Sequence, residues 1–298
     1  MSAERFPAYH QHCIVCGSDK LRPMKAYIKH QMVRCGNCSM VFMHRIPTEE
    51  QLDDHYSRYS YHEDRWISPI TIQRYHELLD RFEKYRKTNR LLDVGCGIGE
   101  FLSVAKERGW EVYGTEFSSK AVEICEKKGI QMLQGNLSAR IFPEEHFDVI
   151  TSFEVIEHIY HPTHDVKVIY ELLRKGGMHY CTTPNFNALH RYKLKAEYDV
   201  IHFPEHLAYF TPKTLKRVMK DAGFRVVKTE TTGINLTRIA RSKDLNSTAL
   251  RGEETPNEQM REKTETQWHW RLAKVLVNTG LNITGLGAAL KISVVKPS

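Results

Sequence analysis

From Arg90 onward short apolar runs alternate with amphipathic segments, and this order limits the fold more than any other feature of the chain. RLLDVGCG, EVYGTEF, FDVITSFE and GMHYCTTP read as strands. GEFLSVAKERG, SSKAVEICEKKG and DVKVIYELLRKGG read as helices, each closing near a glycine suited to a C-terminal cap. Such succession specifies a largely parallel sheet with helices on both faces. GFRVVKTETTG supplies the sixth strand and ALKISVVKP the last, and a helix starts near Thr211 and Pro212. The predicted fold is α/β, a Rossmann-like, doubly wound, mostly parallel seven-stranded sheet.

The first strand runs into Asp93-Val94-Gly95-Cys96-Gly97-Ile98-Gly99, a glycine-rich turn that opens the next helix. Glu116 ends the second strand, about 20 residues later, where a carboxylate can accept both ribose hydroxyls. The glycines follow G-x-G-x-G, which misplaces the third glycine for a dinucleotide fingerprint. Asp93 sets a carboxylate beside the turn. It would repel a pyrophosphate and suits a ligand carrying an ammonium and a sulfonium, such as S-adenosylmethionine.

Four of the seven cysteines form two pairs, Cys13-x2-Cys16 and Cys35-x2-Cys38. In a reducing compartment this spacing reads as a tetrahedral zinc site, with a redox pair or chance thiols as the alternatives. A closed four-thiolate site is structural. The expected organisation is a zinc ribbon over 1–48, a helical linker over 49–88 with a helix near 70–87, and a cofactor domain over 89–233. Within the last, 184–212 walls the acceptor pocket. An insertion with a lid helix and the final strand fills 234–298.

FEVIEH, Phe153 to His158, ends the fourth predicted strand, where ligand crevices of open α/β sheets lie. A helical turn there sets Glu154, Glu157 and His158 on one face at i, i+3 and i+4. His202 and His206 of IHFPEH are available to join them. Two carboxylates and two imidazoles suit Mg2+ or Mn2+. Metal-free general-base work by His158 or His206, and a purely loop-shaping role, remain alternatives.

Residues 88–233 resemble a class I S-adenosylmethionine-dependent methyltransferase, with LLDVGCGIGEFL and GTEFS as its first two motifs. The resemblance implies that Asp93, Gly95, Gly97 and Gly99 border the methionine part, Glu116 binds the ribose and Phe117 flanks the adenine. Asn136 and Leu137 stand where many members carry an acidic residue near the adenine amine, and Phe153 completes the cofactor set. It also implies a final antiparallel strand at one sheet edge. The cysteine segment with its HRIPTEEQLDDHY continuation resembles the N-terminal zinc module of bacterial methyltransferases associated with sugar and surface-polysaccharide modification. E-x-x-E-H with a downstream His resembles the metal site of ubiquinone-pathway O-methyltransferases and small-RNA 2′-O-methyltransferases. By that likeness Glu154, Glu157, His158 and His206 are ligands, with Glu154, His158 and His206 at the chemistry.

Net charge is +3 over 1–89, −4 over 90–188 and +8 over 189–298. The basic last third favours an anionic small-molecule or glycan acceptor; nucleic acid is the less favoured partner. Tyr192, Tyr198 and Tyr209 offer rings for stacking on a ligand or for packing. In QWHWRLAKVLVNTGLNITGLG, Trp268, Leu272, Val275 and Thr279 share a helical face. That face can pack on the catalytic domain, join a second subunit, or touch a membrane surface through 267–287. No apolar run is long enough to span a membrane, no secretory leader is evident, and a cytoplasmic location is expected. The expected activity is O-methylation of a sugar hydroxyl in a nucleotide sugar or surface glycan. C-methylation of a keto-sugar, RNA 2′-O-methylation and a non-catalytic cofactor-fold binding module are the rivals.

Overall fold

A computed structural model of the chain describes residues 8–57, 66–137, 141–233 and 267–298. The cysteine segment forms β1 (Ala8–Tyr9), β2 (Leu21–Pro23), β3 (Met32–Cys35), β4 (Val41–Met43) and β5 (Arg45–Ile46). β2, β3 and β4 make an antiparallel sheet, and β1 pairs with β5. Two helices follow, α1 (Glu49–Ser57) and α2 (Pro69–Phe82), the second with Pro69 in its first turn where no N–H is needed.

The main body then alternates as expected: β6 (Arg90–Val94), α3 (Glu100–Glu107), β7 (Glu111–Glu116), α4 (Ser119–Lys127), β8 (Gln131–Gln134) and β9 (Phe147–Phe153). Next come α5 (Pro162–Leu172), β10 (Leu173–Pro184), α6 (Leu189–Leu194), β11 (Ala208–Tyr209), α7 (Pro212–Asp221) and β12 (Arg225–Thr232). α8 (Trp268–Thr284) and β13 (Ala289–Val295) close the chain. Seven strands form one sheet in the order β12-β13-β10-β9-β6-β7-β8. β13 is antiparallel to both neighbours, and the β10-β9-β6-β7-β8 pairings are parallel.

Alternation along the central strands divides the core. Leu92 and Ile150 face a cluster with Leu173, Leu290 and Ile292, whereas Leu91 and Val149 face Leu79, Phe82 and Phe101 under α2 and α3. Each such side chain contributes about 1.5–3 kcal/mol when buried. The first cluster also contains Cys35, Cys38, Met40 and Phe42, so the cysteine module and the main sheet share one core.

Two expectations change and one is completed. The last strand does not take an edge: β13 lies second from it, with its buried Leu290, Ile292 and Val294 shielded by the charged β12 outside. The fifth helix ends at Leu172 rather than near Gly177. Leu173 is fully buried opposite Phe147, and Arg174 is ion-paired with buried Asp148, which pulls this segment into the sheet. The third strand, implied by the count of seven but given no place in the sequence, is the short edge segment QMLQ, whose length and glutamines carry no strand signal.

The insertion expected over 234–287 lies partly outside the described residues, which resume at α8. That helix is fixed at its C-terminal turns: Thr231 donates through Oγ1 to Leu281 O (2.7 Å), and Asn282 Oδ1 accepts from Thr231 N (2.9 Å). Only Leu281 is buried, while Trp268, Leu272 and Val275 are exposed, so the apolar face does not pack on the described main body. Among the described residues no helix is long and apolar enough to cross a membrane.

Candidate active site

The glycine turn after β6 has three left-handed residues, Gly95, Gly97 and Gly99, and their roles differ. A side chain at Gly95 would meet Val155 Cγ2 at 2.7 Å, and one at Gly99 would meet Ile130 Cδ1 at 2.5 Å. Both are packing requirements. Beside Gly97 there is open space, the cradle expected where a ligand approaches the backbone. Its N–H donates to Glu116 Oε2 (3.0 Å), and Glu116 Oε1 accepts from Phe117 N (2.8 Å) and Ser118 N (3.1 Å). The carboxylate is thereby aimed across the turn at the end of β7.

Asp93 lies under this turn, fully buried, accepting from Thr151 Oγ1 at 2.7 Å. Burial raises its carboxyl to about 7, the Thr151 hydrogen bond opposes this, and Glu116 adds to it. Phe117 is 56% exposed and Asn136 is exposed, whereas Leu137 is buried in the core. Phe153 packs edge-on against Phe101 at 5.1 Å and Tyr180 at 5.9 Å. The open cradle at Gly97, the adjacent carboxylate and the exposed Phe117 ring fit S-adenosylmethionine. Thr115, whose Oγ1 accepts from Gly95 N (3.2 Å), and Thr151 support the site without any motif to mark them.

FEVIEH does not form the expected helical face. Glu154 adopts a left-handed conformation (φ 54°) with its N–H donating to Thr182 O (3.0 Å), so the helical turn starts only at Ile156. Glu157, His158 and His206 do converge, with one ligating atom from each within 4.8 Å of the others. Glu154 stands outside that group and acts on Glu157 through its charge. His202 belongs to a different cluster.

The tautomers follow from the partners. His158 Nδ1 lies 2.8 Å from Glu205 O and His206 Nδ1 2.6 Å from Val200 O. A carbonyl only accepts, so each Nδ1 carries hydrogen, and the neutral His158 ring keeps an Nε2 lone pair. Backbone carbonyls orient metal-binding imidazoles in this way. Burial, reinforced by His206, lowers His158 to about 4 and keeps it neutral. Glu157 is buried, and burial with the nearby Glu154 charge raises its pKa. Its Oε2 accepts from Thr183 Oγ1 (2.9 Å), while Oε1 has no hydrogen-bond partner and lies 3.9 Å from His158 Nε2. An orphaned carboxylate oxygen 3.9 Å from His158 Nε2, in a group that a His206 ring nitrogen joins within 4.8 Å, fits a divalent cation. One oxygen and two nitrogen donors suit Mn2+ or a neighbouring transition ion better than Mg2+.

The cysteines converge as well. Cys13 Sγ lies 3.4 Å from Cys38 Sγ and Cys16 Sγ 3.6 Å from Cys35 Sγ, and all four are free thiols. Sulfurs about 2.3 Å from one tetrahedral ion stand about 3.8 Å apart, so the cluster fits a thiolate metal site. Cys35 Sγ also accepts from Asn37 N (3.4 Å) and Cys38 N (3.5 Å), the expected backbone donors of a knuckle. Of the three tyrosines, Tyr198 and Tyr209 are buried packing residues and only Tyr192 is exposed.

Residues 65–229, more than half of the chain, match the family described as Methyltransferase domain. The chain belongs to this family. The chain is similar to the ubiquinone biosynthesis O-methyltransferases of Azoarcus sp. (30% identity over 151 residues, 46% of this chain and 65% of that protein) and Ruegeria pomeroyi (32% over 104 residues, 33% and 42%). It thus spans about 42 to 65% of the length of these curated relatives. Among solved structures, an S-adenosylmethionine-dependent methyltransferase from Archaeoglobus fulgidus aligns with a TM-score of 0.51 at 21% identity, covering 84% of this chain and all of that one. Phosphoethanolamine N-methyltransferase 2 of Haemonchus contortus aligns at 0.54 and 17%, covering 87% and 63%. These two likenesses establish the class I fold.

Proposed function

We propose that the chain transfers the methyl group of S-adenosylmethionine to a sugar hydroxyl of a phosphate-bearing acceptor, a nucleotide sugar or a growing surface glycan. Family membership and the open Gly97 cradle beside Glu116 support the cofactor half. The acceptor half is carried by one observation. An open cleft of about 620 Å³ beyond the ends of β10 and β12 is walled by Arg34, Arg191, Lys213 and Lys216. It shares Arg34 with a second cleft of about 560 Å³ that adds Arg22 and Lys25. Among the described residues no Asp or Glu lines either cleft, so both select anions. Arg191 lies over the Phe186 and Tyr192 rings at 4.3 and 4.2 Å, giving a surface on which a base or sugar can stack. Tyr209 joins cleft to catalytic residues: its ring is 5.5 Å from Phe186 and its hydroxyl donates to His206 O (2.9 Å).

In the proposed reaction the acceptor oxygen bonds to the sulfonium methyl, the S–C electrons remain on sulfur, and the hydroxyl proton leaves to a base. Glu157, His158 and His206 would hold a divalent cation, whose positive charge would lower the pKa of a bound hydroxyl. His158 presents a neutral Nε2, His206 is oriented by its Nδ1 hydrogen bond to Val200 O, and Glu157, made proton-avid by burial, offers the free Oε1. The cysteine tetrad is proposed to hold structural zinc, with no open position and no part in the chemistry. Free thiols in that arrangement support a reducing, cytoplasmic setting.

A phenolic acceptor is the second reading, favoured by the relatives whose printed names are ubiquinone biosynthesis O-methyltransferases. Methyl-labelled S-adenosylmethionine is offered with nucleoside diphosphate sugars, lipid-linked glycan, a catechol and RNA in parallel. Label in either sugar pool, lost in Lys213→Glu/Lys216→Glu, is expected. Label in the catechol or RNA alone overturns the acceptor half, and failure to bind S-adenosylmethionine overturns the whole.

A further inference from the structure

A second trio of ligating side chains lies beside the first. His55 of α1, His202 and Glu205 place one donor atom each within 4.8 Å of the others. Glu205 Oε2 is their hub, 3.2 Å from His202 Nδ1 and 3.8 Å from His55 Nε2, and the two rings stand 5.6 Å apart. We propose that His55, His202 and Glu205 form a second transition-metal site, separate from Glu157, His158 and His206, that fastens α1 onto the 200–206 segment.

Ligands bonded to one ion at about 2.0–2.2 Å stand about 2.9–3.5 Å from each other, depending on coordination number. The hub distances of 3.2 and 3.8 Å therefore need a contraction of only a few tenths of an ångström on one side. Two imidazoles and a carboxylate select Zn2+, Co2+, Mn2+ or Fe2+, whereas Mg2+ and Ca2+ take oxygen-rich sets. His202 is 56% exposed and supplies the route for an ion, while His55 and Glu205 are mostly buried and supply fixed walls. Three protein ligands leave a position for water.

The placement gives the site a consequence. Glu205 offers its carboxylate to this trio and its backbone carbonyl to His158 Nδ1. His206 N donates to His202 O at 2.7 Å. The two trios thus share the HFPEH turn, with side chains 202 and 205 serving one and 206 the other. Filling the outer site stiffens the backbone that orients both catalytic imidazoles, and ties it to the helix that directly follows the cysteine module. The competing account is a hydrogen-bonded cluster in which His202 donates to Glu205 and no ion binds.

The test uses the full chain with its cysteines already zinc-loaded. Wild type, His206→Ala, His202→Ala, Glu205→Gln and the His202→Ala/His206→Ala pair are titrated with Co2+, counting bound metal by calorimetry and by visible absorption. Hydrogen exchange of 49–57 is followed in parallel. His206→Ala should retain one Co2+ equivalent that slows exchange in 49–57. His202→Ala and Glu205→Gln should weaken that equivalent at least tenfold, and the pair should lose it. His202 is more than half exposed, so its replacement leaves the fold intact. The proposal is overturned if His206→Ala takes up no Co2+, if the pair still binds an equivalent, or if bound Co2+ leaves exchange in 49–57 unchanged.

Discussion

Asp93 is a buried carboxyl whose proton affinity sets a measurable pH dependence. Burial, with a contribution from Glu116, raises it from 3.8 to about 7. That is about three units, or ~4 kcal/mol at 1.36 kcal/mol per unit. The folded state holds this proton more tightly than the unfolded chain. The contribution is therefore fully present below about pH 4 and is lost as pH rises through about 7. Asp93→Asn keeps the shape and the acceptor for Thr151 Oγ1 but removes the titration. Urea unfolding of the ligand-free proteins should show Asp93→Asn more stable by up to ~4 kcal/mol at pH 8 and by little at pH 4.5. A ligand with a sulfonium and an ammonium favours the charged carboxylate. Saturating S-adenosylmethionine should then stabilise wild type more at pH 8 than at pH 5.5, with release of a proton near pH 7, and Asp93→Asn should lack both effects. Parallel stability curves for the two proteins from pH 4.5 to 8.5 would refute the reasoning.

Gly97→Ala should fold with a penalty of about 1–2 kcal/mol for its left-handed conformation while weakening S-adenosylmethionine binding at least tenfold, as calorimetry can check. Gly95→Ala should instead lower stability by about 1–3 kcal/mol beyond that, because the new methyl meets Val155. Cys13→Ser should shift one cooperative thermal transition downward by roughly 6–12 °C for a loss of ~3 kcal/mol, since the module shares its core with the sheet. Two separate transitions by calorimetry would contradict that. Lys213→Glu with Lys216→Glu should raise the KM for a phosphate-bearing acceptor about tenfold and flatten its salt dependence, leaving S-adenosylmethionine affinity unchanged.

The parallel sheet was legible because each of its central strands is apolar on both faces and is followed by an amphipathic helix. The glycine turn and the cysteine pairs were legible because their chemistry needs fixed residue types at fixed spacing. What escaped depends on contacts distant in sequence. Nothing in LLRKGG announces that Leu173 is swallowed by the sheet and that Arg174 reaches Asp148. FEVIEH carries the residues of a ligand set, yet the left-handed Glu154 removes that residue from the helical face. His55 lies in the HRIPTEEQLDDHY stretch, where no ligand spacing marks it, and only the folding of α1 against the 200–206 segment brings it to Glu205.

The same point explains why a structural cysteine module belongs in this chain. β11 pairs with β4, Tyr209 opposite Val41 and Ala208 opposite Phe42, so the segment between β10 and α7 completes the module's sheet as its edge strand. Leu207, immediately before β11, accepts from Met43 N (2.9 Å) through its carbonyl and donates through its amide to Glu157 O (2.8 Å). One residue thus links the last strand of the cysteine sheet to the backbone of the buried carboxylate, and His206 precedes it directly. Loosening the cysteine cluster removes packing from Phe42 and Met40, frees β11, and lets Glu157 and His206 drift apart. In the proposed reaction three donors that meet within 4.8 Å do not tolerate that drift, so the module would act on that chemistry through position although none of its side chains lies in the trio.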